Sequence, residues 1–378
     1  MTTTSNKKDA EVNGVHFHVV DTPGVIDTSA RTKTDVNNKL EEIRNCRLLC
    51  RNGINALLLV TRCDQKFTAE EENAIDQLES LFGPQLFEYG IVIFTHGDAF
   101  EEAKSEGQVT TFRKYLESQP DSFKRVFDKF NDRYVRFNNK LKAGGEANLQ
   151  RNNLVSKIRE VMANNNKEPY IIPEVTDVEL CFPATSTVLI DGKHHGKMTS
   201  LQVGTKVVSV IQEARAQLDT VYFFSHAAQD VLAPFVRIKT AGGKTLHLSE
   251  GHYIYVGMDA LKTGALVTAR EVKAGDLVHV VDGLDQAPRA EEVIEVKTEI
   301  KRGLYCPHTL GGSLVVDGVC VSTYTEVFPP SVAHGLLWPI RVLYRMAPNV
   351  ATKIAQPQSD QGMPKCLGWL YDRYVAKV

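Results

Sequence analysis

Cys181-Phe182-Pro183 and, further along, Ser249-Glu250-Gly251-His252 are the stretches around which the second half of this chain is organised. The cysteine begins a β-rich segment, directly after a stretch that contains asparagines and prolines. A cysteine in that place, with a Ser-x-x-His downstream, is the arrangement required for attack on the preceding peptide bond. The sequence therefore predicts self-cleavage between Leu180 and Cys181.

The chemistry of amide cleavage explains these residue types. Cleavage needs a nucleophile, a strained or polarised amide and a proton for the departing nitrogen. A free cysteine is only slightly ionised at neutral pH, so the main help is the proximity of the Cys181 thiol to the carbonyl of Leu180. His252 is the candidate proton donor, because imidazole exchanges protons near pH 7. Ser249 is the candidate that holds the peptide, and the product is a thioester awaiting a second nucleophile.

A purely structural role is the alternative for the same residues. A buried cysteine usually packs as a small hydrophobic side chain, and a Ser-x-x-His pair occurs often by chance. Taken alone, the cysteine, the serine and the histidine do not separate catalysis from packing.

Short apolar runs separated by glycine-containing turns predict an all-β domain after Cys181. The predicted strands are 188–190, 207–210, 235–238, 252–256, 277–281, 293–296 and 314–316. We expect His194 and His195 to lie in a solvated loop. Cys306 and Cys320 are predicted core thiols, either of which can receive the acyl group if it lies near Cys181.

Strands that alternate with helices predict an α/β domain over residues 1–163, with a largely parallel sheet and ligands at the carboxyl ends of the strands. The predicted strands are 15–20 (after an Asn13-Gly14 turn), 56–60, 90–94 and 134–137, and the predicted helices are 40–50, 68–82, 101–118, 121–130 and 148–163. Thr68 and Glu71 have the spacing of a capping box. Residues 164–180 are the predicted linker, 181–326 the β domain and 327–378 a tail.

Asp21 ends the first predicted long strand and is followed by Thr22-Pro23-Gly24. A carboxylate there is well placed to hold the water shell of Mg²⁺, and the amide of Gly24 can face a γ-phosphate. A strand followed by an ordinary Pro-Gly turn is the simpler interpretation.

Composition excludes several classes of protein. The chain has 378 residues, a formal net charge of −2 and no basic run. It therefore lacks the positive electrostatic potential that attracts nucleic acid or an anionic membrane. Seven cysteines without a CxxC pair do not predict a disulfide framework or a zinc site. No signal peptide and no apolar run long enough to span a membrane are visible, so the expected location is the cytoplasm.

The carboxyl ends of the predicted N-terminal strands resemble the GTPases of immunity-associated proteins, the AIG/GIMAP type. The matching motifs are Asp21-Thr22-Pro23-Gly24, Thr68-Ala69-Glu70-Glu71-Glu72, Phe94-Thr95-His96-Gly97-Asp98 and Phe137-Asn138-Asn139-Lys140. The resemblance implies that Asp21 and Gly24 face magnesium and the γ-phosphate. It also implies that Asp98 accepts from the guanine N1 and N2 donors, and that Asn138 and Asn139 belong to the base-side loop.

No Gly-x-x-x-x-Gly-Lys-Ser/Thr phosphate loop occurs in the chain, although this family carries one. Losing three or four of its charge-assisted hydrogen bonds weakens nucleotide binding by at least ~10³-fold. The missing strand also splits the sheet at its centre, which predicts an incomplete doubly wound sheet. GTP and magnesium are therefore expected only if an upstream segment supplies the loop, and the half is otherwise a remnant without GTPase activity.

The second half resembles the Hint domain of hedgehog C-terminal (Hog) proteins. The five matching blocks, in order, are 181–188, 201–204, 248–253, 272–278 and 303–324. The resemblance implies autoprocessing by Cys181 and His252, with Ser249 at a place where threonine is commoner. No cofactor is expected for that reaction, and the partner in it is the chain itself.

Three features qualify the Hog resemblance. Family members that use a sterol as second nucleophile carry an acidic residue in a loop where this chain has His226, so water or a thiol becomes the expected acceptor. Leu180 stands where hedgehogs have glycine, and its bulk slows attack without forbidding it. The tail resembles the start of an adduct region that engages lipid, and a helix packed on the domain is the alternative.

Overall fold

The computed structural model describes residues 5–22, 33–65, 67–106, 111–142, 144–175, 182–210, 215–263 and 265–355. The chain divides into two compact units, with the boundary between Pro173 and Glu174. Unit 1 contains the described residues 5–22 and 37–173, and unit 2 contains 33–36 and 174–355. Unit 1 is α/β and unit 2 is mostly β, which confirms the predicted fold classes.

Unit 1 alternates strands with helices. Its strands are β1 (Asn6–Val12), β2 (Val15–Asp21), β3 (Leu57–Arg62), β4 (Gly90–Thr95) and β5 (Tyr134–Arg136). The helices are α1 (Lys33–Leu49), α2 (Ala69–Phe82), α3 (Gly97–Ser105), α4 (Phe112–Glu117), α5 (Asp121–Asp128) and α6 (Gly145–Asn164), with a 3₁₀ helix at Pro84–Tyr89. The single helix predicted over 101–118 is wrong, because α3 ends at Ser105 and α4 begins at Phe112 with its own N-cap, Thr111.

The sheet of unit 1 is split in two, as the missing strand predicts. Strands β3, β4 and β5 pair in parallel, whereas β1 and β2 form a separate antiparallel hairpin. The hairpin turn has positive φ at both Asn13 and Gly14, which matches the twist of a two-residue hairpin. Within the described part of the chain β3 pairs only with β4, and the side chain of Val60 on β3 is 63% exposed.

Strand β4 forms the centre of the unit 1 core, with its five residues from Gly90 to Phe94 buried. Val92 and Phe94 pack with the aromatic side chains of α4 and α5, and Ile91 and Ile93 pack on the opposite face with Val161 of α6. A strand buried on both faces reads as a continuous apolar run, which is why it was visible in the sequence. The capping box of α2 is also present, with both bonds between Thr68 and Glu71 formed.

Unit 2 consists of many strands and a few short helices. The strands are β6 (Glu174–Val175), β7 (Thr187–Ile190), β8 (His194–Lys197), β9 (Lys206–Val210), β10 (Ala216–Thr240), β11 (Thr245–Leu248), β12 (His252–Tyr255), β13 (Leu266–Thr268), β14 (Leu277–Val280), β15 (Arg289–Thr309), β16 (Ser313–Val316) and β17 (Val319–Thr325). The helices are α7 (Ala260–Thr263), α8 (Pro330–Leu336), α9 (Trp338–Met346) and α10 (Pro348–Ala355). The loop predicted for His194 and His195 is wrong, since both lie on β8 and are exposed there.

A long antiparallel ribbon of β10 and β15 organises unit 2. The two strands pair from Val221 opposite Thr309 to Thr240 opposite Val293, with several irregularities in register. The other strands extend from this ribbon, in the order β13-β12-β17-β14-β15-β10-β9-β7-β16. Because β16 also pairs with β17, the sheet folds back on itself around an apolar core.

The described residues of the predicted linker, 164–175, contact first unit 1 and then unit 2. Tyr170 exchanges two backbone hydrogen bonds with Ile54, and its hydroxyl donates to the carbonyl of Phe82 at 2.6 Å. Ile172 is buried in unit 1, and the next residues, Glu174 and Val175, form β6 in unit 2. The sequence predicted the extended backbone of this segment but not its contacts with unit 1. Tyr170 and Ile172 stand among polar residues, so their burial was not visible as an apolar pattern.

The helices that follow β17 pack on unit 2. Leu337, Ile340 and Tyr344 contact the apolar core, and Arg341 is buried. The outward sides of α8 to α10 carry exposed large apolar side chains, namely Val332, Leu336, Trp338, Met346 and Val350. Among the helices described, none combines the length and the apolar character that crossing a bilayer would require.

Candidate active site

Phe182, the residue after the predicted nucleophile, is fixed on the β10–β15 ribbon. Its amide donates to the carbonyl of Tyr305, and the amide of Tyr305 donates back to Phe182, both at 2.9 Å. Two residues on, the amide of Ala184 donates to the carbonyl of Arg302 at 3.0 Å. The Phe182 side chain is fully buried, so the start of the β domain has one defined position.

His252 begins β12 and contacts Phe182. The two ring centroids are 4.3 Å apart, and His252 is fully buried. Its Nε2 lies 2.9 Å from the carbonyl oxygen of Ser322, which can only accept, so Nε2 carries the proton of the neutral ring. Nδ1 is then the unprotonated nitrogen, and it has no hydrogen-bond partner among the described residues.

Burial lowers the pKa of His252, because a charged imidazole is poorly solvated there. The nearby thiol of Cys306, when ionised, and the carbonyl of Ser322 oppose that shift, and His308 adds to it. A neutral ring with a free Nδ1 can accept a proton and release it readily. His252 therefore has the protonation state that a proton carrier needs at neutral pH.

Ser249 lies in the turn that leads into β12. Its carbonyl accepts from the amide of His252 at 3.1 Å, and its hydroxyl is fully buried. Within the described ranges, that hydroxyl oxygen also lacks a hydrogen-bond partner. A buried hydroxyl is normally bonded, so the Ser249 hydroxyl and the Nδ1 of His252 are two buried polar groups for which the described residues supply no partner.

Cys306 and two further histidines lie on the same part of the ribbon. His226 on β10 is directly opposite Cys306 on β15, and the Cys306 sulphur is 3.9 Å from Nε2 of His308. That nitrogen also lies 3.0 Å from the hydroxyl oxygen of Ser225. Burial lowers the pKa of His226, and the Cys306 thiolate opposes that shift. The structure thus places His226 and His308 beside the buried thiol of Cys306.

The predicted site residues have different outcomes. His252 contacts Phe182 and donates its amide to the carbonyl of Ser249, and His226 lies on the ribbon with which Phe182 pairs. Cys181 and Leu180 are outside the described residues, so the structure gives no geometry for the scissile bond. The sequence did not identify Phe182 as the contact of His252 or His308 as a neighbour of Cys306, although the alternation of Cys306 and His308 along one strand is a signal for a shared face.

The predicted base-side elements of unit 1 also meet. The amide of Gly97, at the start of α3, donates to the carbonyl of Phe137 after β5 at 2.9 Å. The carboxylate of Asp98 forms an ion pair with Lys140, which holds the pKa of Asp98 below its usual range. Asn138 accepts from the amide of Lys140 at 2.9 Å, and Asn139 is exposed.

A cavity of about 930 Å³ adjoins these loops, between the end of β5 and helix α6. Its lining includes Gly97, Arg136, Asn138 and Gln150. Asp21, the predicted magnesium ligand, is exposed at the end of the separate β1–β2 hairpin, and Gly24 lies outside the described residues. In the described part of the chain no three His, Cys, Asp or Glu side chains are grouped as a metal site would require.

The fold and these sites define a two-part chain, a GTPase-related α/β domain followed by a β module of the autoprocessing type. Residues 1–181 match the AIG1 family, and residues 173–364 match the Hint module. The chain belongs to the Hint module family and carries an AIG1 family domain before it.

Individual relatives divide in the same way. The chain is 34% identical over 160 residues to Immune-associated nucleotide-binding protein 13 of Arabidopsis thaliana, which covers 42% of this chain and 44% of that protein. It is 29% identical over 194 residues to Protein hedgehog of Drosophila virilis, covering 51% of this chain and 40% of that protein. The chain thus spans less than half the length of either relative.

Among solved structures, the gp41-1 intein is similar at a TM-score of 0.30 and 12% sequence identity, over 38% of this chain and 97% of that one. The Hint module and the similarity to Protein hedgehog support a capacity for autoprocessing, and the AIG1 domain supports a GTPase-related first half.

Proposed function

We propose that unit 2 converts the Leu180–Cys181 peptide bond into a thioester by an N-to-S acyl shift, and that a second nucleophile then breaks the thioester C–S bond and releases the AIG1-type first half. The thiol of Cys181 attacks the carbonyl carbon of Leu180, and the C–N bond of that peptide breaks as the C–S bond forms. The observation that carries the proposal is the buried His252 ring. It lies 4.3 Å from the ring of the residue next to Cys181, and its Nδ1 has no hydrogen-bond partner among the described residues.

His252 moves the proton in this mechanism. The neutral Nδ1 takes the proton of the attacking thiol, and the resulting imidazolium gives it to the departing nitrogen of Cys181. The low pKa of His252 favours the second transfer, because the buried ring holds a proton weakly. The hydroxyl of Ser249 orients the peptide by a hydrogen bond, which would also satisfy a buried group that has no partner in the part of the chain the structure describes.

The thioester is resolved by water or a small thiol. His226 stands where a carboxylate would be needed to activate a sterol hydroxyl, and its low pKa makes it a neutral base suited to a more acidic nucleophile. Cys306, opposite His226, is the internal alternative as acyl acceptor. The chemistry needs a reduced thiol at residue 181, which a reducing compartment such as the cytosol maintains.

Expression of the chain followed by denaturing electrophoresis and intact-mass measurement tests this proposal. We expect fragments that end at Leu180 and begin at Cys181, faster cleavage with thiols or hydroxylamine, and an intact Cys181→Ala variant. A Cys320→Ala variant is the matched control, since Cys320 is a buried thiol whose pKa burial raises to about 12. A wild-type chain that stays full-length in strong thiol would remove the proposal.

A second function, guanine-nucleotide binding by unit 1, is favoured by the meeting of Asp98 with the Asn138 loop beside a large cavity. The carboxylate of Asp98 is paired with Lys140, so a guanine base would have to displace Lys140 from it. The absence of a phosphate loop from the sequence limits this function, and magnesium at Asp21 depends on it. Titration with GTP, and its loss in Asp98→Ala, tests this candidate.

Lipid contact by the tail is a further part of the proposal. The exposed apolar residues of α8 to α10 include Trp338, whose side chain is 60% exposed, and Met346, 81% exposed. Such a surface fits a membrane or a lipid adduct. Flotation with neutral phosphatidylcholine vesicles, compared between wild type and Trp338→Ser/Met346→Ser, tests it, and equal flotation of the two proteins argues against it.

A further inference from the structure

The β1–β2 hairpin of unit 1 carries two histidines on one face. His16 and His18 are two residues apart on β2, and successive side chains of a strand point to opposite faces, so the two imidazoles share a face. Their positions are about 7 Å apart along the strand. Both side chains are open to solvent, with 80% of His16 and 67% of His18 exposed.

A carboxylate faces each of these histidines across the hairpin. Asp9 is paired with His18 and Glu11 with His16 in the antiparallel register. The Nδ1 of His18 lies 2.5 Å from Oδ1 of Asp9, and the Nδ1 of His16 lies 3.7 Å from Oε2 of Glu11. The hydrogen bond with His18 holds the pKa of Asp9 below its usual range. Each ring therefore turns its Nδ1 toward a carboxylate and leaves its Nε2 on the far side.

This orientation of the rings is the one that metal-binding histidines have. A histidine that binds a metal through one ring nitrogen usually donates a hydrogen bond from the other nitrogen to a carboxylate or a carbonyl. Because a carboxylate only accepts, the bond between His18 and Asp9 places the proton of the neutral ring on Nδ1. The lone pair is then on Nε2, which is the atom that a metal ion would bind.

Two imidazoles at this separation can reach a single ion. A metal ion binds imidazole nitrogen at about 2.0–2.1 Å, which places the two Nε2 atoms about 3 Å apart around it. Since the side chains are exposed, rotation about their own bonds brings the rings together without moving the backbone. On the same face Asp9 and Glu11 carry two negative charges and Lys7 carries one positive charge. The balance is negative, so it attracts a divalent cation.

We propose that His16 and His18 bind a divalent transition-metal ion through their Nε2 atoms. Asp9 and Glu11 hold the two rings in position by accepting from Nδ1. Imidazole ligands suit Ni²⁺, Cu²⁺ and Zn²⁺, whereas Mg²⁺ and Ca²⁺ prefer oxygen ligands. Two protein ligands are fewer than the three that an enclosed metal site has, so water completes the coordination and the ion is exchangeable. The site is distinct from Asp21, which alternates to the other face of β2.

Calorimetric titration with NiCl₂ tests the proposal, using the full chain with Cys181→Ala so that it stays intact and without an added polyhistidine tag. Ni²⁺ is the probe because it favours imidazole, whereas thiolates favour Cu(I) and Zn²⁺. We expect this parent chain to show a binding event that the His16→Gln/His18→Gln variant lacks. Asp9→Ala, which removes the support of one ring, should bind roughly 10- to 100-fold less tightly.

His194→Gln/His195→Gln is the matched control, because both histidines are exposed on β8 but adjacent residues of a strand point to opposite faces. This variant should bind Ni²⁺ as the parent does. The thermal midpoint without metal should change little in any variant, since every substituted side chain is exposed. Binding that survives in His16→Gln/His18→Gln, or that the control variant loses equally, would overturn the site. A parent chain that binds no Ni²⁺ would leave this face with cross-strand ion pairs alone and would also overturn it.

Discussion

The two halves of the chain differ in how the described residues of their candidate sites are held by the sheet. In unit 2, His252, Ser249, His226 and Cys306 gather around a ribbon whose strands are paired on both sides. In unit 1, the base-side loops meet, but Asp21 lies on a separate hairpin and β3 exposes Val60. Site residues carried by one closed sheet are held in a fixed geometry by its strand pairing. Site residues on two separate sheets are not positioned by strand pairing between those sheets.

Restoring the missing loop should have the largest effect. We expect a strand and Gly-x-x-x-x-Gly-Lys-Ser segment fused before residue 1 to tighten GTP binding by at least ~10³-fold, because it adds several charge-assisted hydrogen bonds to the phosphates. Calorimetric titration measures the change, and the same fusion with alanine in place of its lysine is the control. Unchanged GTP binding after fusion would show that unit 1 is not a nucleotide site. The two halves would then differ because unit 1 has lost its nucleotide-binding function.

His252→Ala should reduce thiol-induced cleavage by roughly 10²- to 10⁴-fold, the usual range for losing a positioned acid–base group. His247→Ala is the control, since His247 is bonded to Glu299 at 3.1 Å on a different part of the sheet. Gel densitometry over time gives both rates. Comparable losses in the two variants would mean that His252 acts only through the stability of unit 2.

Gly303→Ala should have a smaller effect through packing. Gly303 has φ +88°, and a Cβ there would lie 2.5 Å from the Cβ and 3.0 Å from the amide nitrogen of Ala184. Moving Ala184 displaces the anchored segment at Phe182, so we expect cleavage to slow by about tenfold, which corresponds to ~1.4 kcal/mol in the barrier.

Gly243→Ala is the control that distinguishes backbone strain at a positive φ from a steric clash with a neighbour. Gly243 has nearly the same φ, +87°, and no atom lies within 4 Å of its Cβ position. The variant should lose stability through the backbone alone and retain its cleavage rate. If both alanine variants cleave equally slowly, the contact with Ala184 is not what matters.

The pH dependence of stability should show the smallest change. Burial lowers the pKa values of His226 and His252 below their ordinary value near 6.5, so the unfolded chain binds more protons than the folded chain just below that pH. Stability is therefore complete above pH 6.5 and falls as the pH drops toward the lowered values. We expect the thermal midpoint of Cys181→Ala to decrease by a few degrees between pH 7.5 and 5.5, and to decrease less when His252→Gln is added. An identical decrease in both would assign the effect to other groups.

Strands made almost entirely of apolar residues were predicted correctly from the sequence. Strands in which buried apolar residues alternate with charged ones were recognised only in part. Strand β4 is apolar throughout and was predicted nearly to the residue, whereas β10 and β15 run to 25 and 21 residues although only short segments of each were recognised. Charged pairs on their exposed faces, such as Arg237 with Glu295 and Glu299, hide the continuity. His194 and His195 were misassigned for the same reason, since a two-sided polar strand resembles a loop.

The candidate site was predictable as residue types and not as geometry. His252 and Ser249 follow from spacing and resemblance, and the structure places them together. The contact of His252 with Phe182 depends on strand pairing between residues 182 and 305, which no local pattern encodes. The pairing of β6 joins Glu174 and Val175 to residues more than fifty positions later in the chain, so it was visible only in three dimensions.

The two backbone bonds that hold Phe182 also determine how the C-terminal product would begin. Cleavage before Cys181 would leave a single residue ahead of the first paired position, so the new chain end would have almost no overhang. Aminopeptidases need several extended residues to engage a substrate, and here the second residue is already buried in the sheet. The processed module should therefore keep an intact cysteine at its amino terminus. An amino-terminal cysteine of that kind can react with a thioester on another molecule.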